Sequence, residues 1–175
     1  MRRLNKCVLI ICRVLAAFSW LAMAASLLGL IAVWAGLTAE QLPLLHNLSV
    51  TVGGVNLSLN PAENSIFPGT QAIVFLGGAA LSLARALMFH GVNAVLLTAH
   101  EAGTPFLPGV VKHLQQAGLL AIAQPVIVLI TGLLTANHLR TELDFTSAVI
   151  GLMVLCLSQY FAQGVLLQRD VDGMV

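Results

Sequence analysis

The sequence predicts an all-α integral membrane protein, a four-transmembrane-helix bundle with a small extracytoplasmic β-hairpin between helices 1 and 2. Three observations lead there. Of the 175 residues, 58% are hydrophobic and 9% charged, against about 45–50% and about 25% in soluble domains, so the chain lacks the polar surface to cover a water-soluble globule. The apolar residues fall into four long runs: 14–39, 66–97 interrupted only by Arg85, 114–139 and 145–167. The first run is 26 residues without a charge, which at about 1.5 Å per residue exceeds a hydrocarbon core of about 30 Å. Lipid offers no partner to a backbone N–H or C=O, so runs of this kind must be helices. The reading is one membrane domain over 1–175, with spans near 12–37, 68–97, 114–137 and 145–167. An outer loop covers 38–67, a cytoplasmic turn 98–113 and a cytoplasmic tail 168–175.

Helix 1 follows a basic start. Arg2, Arg3 and Lys6 precede an apolar stretch, and Ala22-Met23-Ala24 has the look of a signal-peptide cleavage site. Arg13 splits the would-be apolar core of such a signal, and the hydrophobic character continues past Ala24. The expectation is an uncleaved anchor. Basic residues near the span ends set the orientation. Arg2, Arg3, Lys6, Arg13, Lys112 and Arg169 fall on one side of the alternating topology and Arg140 on the other, while residues 38–69 contain no Lys or Arg. Both termini are therefore expected in the cytoplasm.

The hairpin comes from alternation. Leu48, Val50 and Val52 alternate with Ser49 and Thr51, and after Gly53-Gly54 the residues Val55, Leu57 and Leu59 alternate with Asn56 and Ser58. A two-residue turn at the glycines pairs Val52 with Val55, Val50 with Leu57 and Leu48 with Leu59, with all six on one face. A hairpin alone is marginal in water, so that face is expected to cap the outer ends of the helices or rest in the lipid interface.

Within the spans, small residues suggest close helix packing. Ala25, Gly29, Ala32 and Gly36 share a face of helix 1, and Gly78, Ser82 and Ala86 form a row in helix 2. Such rows serve contacts inside one chain or between copies of it. Polar residues are the better functional pointers, because lipid penalises them. Arg85 leads a broad arc of helix 2 with His90, Asn93, His100 and Glu101; Gln124 precedes Pro125 in helix 3; Cys156, Gln159 and Gln163 share a face of helix 4. Pro125 removes the hydrogen bond to the Ala121 carbonyl, and a bend is expected there. Arg85, Gln124, Gln159 and Gln163 form the candidate intramembrane polar site. Packing through interhelical amides and a snorkelling arginine is the plainer use of the same four residues.

Several chemistries lack their residues. The three cysteines form no Cys-x-x-Cys pair, the spans hold no carboxylate for a proton relay, and no HExxH or phosphate-loop pattern occurs. Of the five histidines only His90 lies well within a span, so paired haem ligation is not expected. With a formal net charge of +1 and no Lys/Arg cluster large enough to engage a phosphate backbone, direct nucleic-acid binding is not expected either. The sequence points to no enzyme, cofactor or metal, and its one certain partner is the lipid bilayer.

The connection Gly103-Thr104-Pro105-Phe106, with Pro108, then Val110-Val111-Lys112-His113-Leu114 and Gly118, resembles the bacterial domain of unknown function 2975 family. Phe161, Gly164 and Leu167, and the end Asp170-Val171-Asp172-Gly173-Met174-Val175, are similar to that family's helix-4 exit and acidic tail. The resemblance spans essentially the whole chain, with the Thr-Pro-Phe turn as its most specific part. It implies a four-span protein of the bacterial inner (cytoplasmic) membrane, often encoded beside a small helix-turn-helix regulator and without an established activity. Two residues depart from the pattern. Leu107 stands where a capping Ser or Thr is usual, and His113 where a permanent cation is usual.

The expected function is that of an accessory protein, sensing or regulatory, which communicates with a cytoplasmic helix-turn-helix regulator. Thr104, Pro105, Phe106, Lys112, Asp170 and Asp172 are the candidate partner contacts. The alternative is a small carrier or channel subunit that uses the polar residues inside the spans.

Overall fold

The computed structural model describes residues 2–35, 49–52, 55–58, 68–102, 107–135 and 145–172. Four helices dominate: α1 (Arg2–Trp34), α2 (Pro68–Ala102), α3 (Pro108–Leu134) and α4 (Thr146–Asp172). Each contains a stretch long and apolar enough to cross a membrane, Cys7–Trp34, Ala72–His100, Pro108–Leu134 and Thr146–Gln168. The protein is a helical, multi-pass membrane protein. Between α1 and α2, β1 (Ser49–Val52) and β2 (Val55–Ser58) pair antiparallel, with Ser49 opposite Ser58, Val50 opposite Leu57, Thr51 opposite Asn56 and Val52 opposite Val55. Leu48, Gly53, Gly54 and Leu59 lie outside the described residues.

The helices outrun the expected spans at the end of α2, the start of α3 and the end of α4. α2 continues to Ala102 and α3 already begins at Pro108. Pro108 explains the early start. The Val111 N–H donates to the Leu107 carbonyl at 3.2 Å, which makes Leu107 the N-cap and Pro108 the first helical residue. Proline suits that position, because its fixed φ is already helical and the N–H it lacks would have had no intrahelical acceptor. This backbone preorganisation offsets the missing side-chain cap at Leu107. Pro68 opens α2 in the same way. α4 likewise runs through Asp172, so most of the expected tail is a helical continuation.

The chain forms two compact units. The first comprises residues 1–18, 84–123 and 146–175, and the second residues 19–83 and 124–145. Among the described residues of the first unit, Cys12, Ala84, Ala86, Val110, Val111, Ala117 and Ala121 are buried and apolar. Most are small, and small side chains let helix backbones approach closely where lipid removes any hydrophobic drive to associate. The approach is closest between α3 and α4. A Cβ built on Gly118 would stand 3.0 Å from the Gly151 carbonyl oxygen, and one on Gly151 would stand 2.7 Å from the Gly118 carbonyl oxygen. The two glycines therefore face each other reciprocally, in the geometry that favours weak Cα–H···O contacts between helices. α2 meets α3 less tightly, with Gly91 near the His113 carbonyl and Ala117.

The second unit packs differently. Val74 and Leu81 are buried with Ser82, Gln124 and Thr135, so polar groups are a large part of its interior. Gly29 of α1 lies against the Phe75 ring of α2, and Gly77 of α2 against the Thr131 side chain of α3. Glycine at both places makes room for a neighbour's bulk. The expected small-residue row of α2 is interior throughout: Gly78 and Ser82 are buried in this unit, and Ala86, in the first unit, is 0% exposed.

Candidate functional site

Polar side chains inside the helices divide into those that satisfy themselves locally and those that do not. The Ser26 hydroxyl donates to the Ala22 carbonyl at 2.9 Å, Thr131 to Ile127 at 2.8 Å and Ser158 to Leu155 at 2.7 Å. Thr135 divides its hydroxyl between the carbonyls of Thr131 and Gly132, both at 3.0 Å. Bonds of this i−3/i−4 kind use carbonyl lone pairs that the helix leaves free, so a hydroxyl can sit in an apolar span without another helix. These four residues are structural.

The four residues expected to form an intramembrane polar site differ in exposure. Gln124 is 6% exposed and belongs to the second unit. Arg85, Gln159 and Gln163 belong to the first. There Arg85 is half-buried, while Gln159 and Gln163 are both exposed, as is Cys156 on the same face of α4. The shared face read from their spacing is real, but it points away from the helix interior. Helical periodicity fixes which residues lie together and not which way the stripe turns; on α4 the inward direction is claimed by Gly151 and Ser158. Gln159 and Gln163 thus lie on the exposed face of α4.

Pro125 is buried, and α3 continues through it without interruption from Pro108 to Leu134. Among the expected partner contacts, Lys112 and Asp170 are exposed and lie in the same unit. Asp172 is the last residue of α4. Thr104, Pro105 and Phe106 lie outside the described residues.

Some notable positions had little sequence signal. The Gly118–Gly151 crossing joins two glycines in different helices, and the hint of a small-residue face is scattered over Ser147, Ala148 and Ser158 on α4 and Ala121 on α3. The amide oxygen of Asn93 is buried without a hydrogen-bond partner, although it shares the polar arc of α2 with exposed His90 and His100. Among the described residues no three His, Cys, Asp or Glu side chains gather as metal ligands would, and Cys7, Cys12 and Cys156 are free thiols. No family model, no curated protein and no solved structure matches this chain.

Proposed function

We propose that this is an accessory protein of the bacterial inner membrane that senses a membrane or envelope condition and passes it to a cytoplasmic helix-turn-helix regulator. The output surface is residues 103–113, which include the first turn of α3, together with the 168–175 end. The observation that carries the reading is the make-up of the first compact unit, which gathers residues 1–18, 84–123 and 146–175. The two segments holding the residues that resemble the domain of unknown function 2975 family thus belong to one body. Exposed Lys112 and Asp170 lie on that body, offering one charge of each sign to a soluble partner. The same unit carries Arg2, Arg3, Lys6, Arg13, Lys112 and Arg169, and an excess of basic residues marks the cytoplasmic side. Both termini then lie in the cytoplasm, and the β1–β2 pair lies outside.

The carrier reading is weaker, because two of its four polar residues, Gln159 and Gln163, are exposed on α4. Co-purification from detergent with a co-encoded regulator separates the two. Phe106→Ala and deletion of residues 170–175 are expected to abolish association while leaving the helices intact. Arg85→Ala and Gln124→Ala are expected to retain it. If the rim variants keep the partner, and the Arg85 and Gln124 variants alone lose activity in cells, the carrier reading replaces this one.

A further inference from the structure

α4 presents to its surroundings a face that lipid does not suit. Its membrane-crossing segment Thr146–Gln168 is 23 residues long, which puts its midpoint at Leu157. Gln159 lies two residues beyond, only about 3 Å from mid-depth along the axis, and Gln163 about 9 Å. Both side chains are exposed. An amide in hydrocarbon has up to four hydrogen-bonding positions and no solvent to fill them, and from mid-depth the short Gln159 side chain cannot reach the headgroups. Ser26, Thr131, Thr135 and Ser158 escape the same penalty by bonding to their own helix backbone. Glutamine on the outer face needs a partner from elsewhere.

We infer that this face is the contact between two copies of the chain, with Gln159 and Gln163 of each α4 bonded to the same residues of the second copy. Depth and chemistry select that occupant. Copies inserted with one topology can be related by a two-fold axis only along the membrane normal, so α4 meets α4 in parallel and each residue meets its equivalent at the same depth. An amide is both donor and acceptor, and so is complementary to its own copy. The flanking residues fit a helix seam. Val149, Leu152, Cys156, Gln159, Gln163 and Leu166 recur at alternating spacings of four and three, and all are exposed. That spacing is the one that keeps a stripe facing a parallel neighbour in a left-handed crossing. The inference stands on the membrane-spanning character of α4 and is independent of any cytoplasmic partner.

The seam carries its own probe in Cys156. In the full-length chain with Cys7→Ser and Cys12→Ser, copper-phenanthroline oxidation in membranes at low protein density is expected to give a disulfide-linked dimer through Cys156. Gln159→Leu with Gln163→Leu is expected to reduce that dimer about fivefold or more, from the loss of two interhelical amide contacts. Leucine inserts into a bilayer more readily than glutamine, so failed insertion would not account for the loss. A cysteine moved to Leu157, about 160° around the helix from Gln159, is expected to cross-link poorly. Counting copies by single-molecule photobleaching should give two for the wild type and one for the double leucine variant. A wild type that is monomeric in membranes would overturn the inference, as would a dimer undiminished by the leucines or cross-linking at position 157 equal to that at 156.

Discussion

Gly151 has no side chain where the Gly118 carbonyl of α3 comes closest to α4. An alanine there would place its Cβ 2.7 Å from that oxygen and 2.8 Å from Ile122 Cγ1. The oxygen belongs to a helix backbone and cannot swing aside, so the helices must part. Gly151→Ala is therefore expected to destabilise the α3–α4 contact by about 1–3 kcal/mol, the usual range for overpacking. Titration of the purified protein from mild detergent into sodium dodecyl sulfate, followed by circular dichroism, measures it. Gly109 is the contrasting case, being exposed in the first turn of α3 with nothing within 4 Å of a built Cβ. Gly109→Ala should be neutral or should stabilise by up to about 1 kcal/mol, because alanine lowers the entropy of the unfolded chain and favours the helix. Equal effects at the two positions would mean that the close crossing does not govern stability.

Among the helices, α3 shows most plainly how local backbone rules and burial combine. Pro108 at its first position costs nothing, whereas Pro125 inside it leaves the Ala121 carbonyl without its normal donor. Ala121 is buried, so water cannot replace that bond freely. Replacing Pro125 by alanine restores the N–H and relieves the ring clash, a gain of about 3 kcal/mol in an ordinary helix. Against this stands the loss of a buried ring, roughly 2 kcal/mol at about 0.8 kcal/mol for each methylene. The expected net result is stabilisation by about 1 kcal/mol, with a new slowly exchanging amide at position 125 detectable by hydrogen–deuterium exchange. An amide there that exchanges as fast as one in a loop would show that the bond to Ala121 has not formed.

For the whole molecule, topology is the testable property. Ser58→Cys in β2 is expected to react with a membrane-impermeant maleimide in intact spheroplasts, and Asp170→Cys in α4 only after the membrane is opened. The motivating facts are the basic residues of the first compact unit and the absence of Lys and Arg from residues 38–69. Labelling in the reverse order would invert the orientation and move the proposed regulator contact to the wrong side. Protection of both positions in intact spheroplasts would mean that 58 is not outside.

The number and type of membrane-crossing helices were legible in the sequence, because length, charge and backbone satisfaction in lipid are properties of each segment alone. So was the grouping of Cys156, Gln159 and Gln163 on one face, which follows from the helical repeat. Which faces turn inward depends on neighbours that periodicity does not name. Gln124 is buried while Gln159 and Gln163 are exposed, although all three lie within apolar helices. The tertiary structure decided this because the reciprocal fit of Gly118 and Gly151 directs that side of α4 toward α3 and leaves its amides facing out.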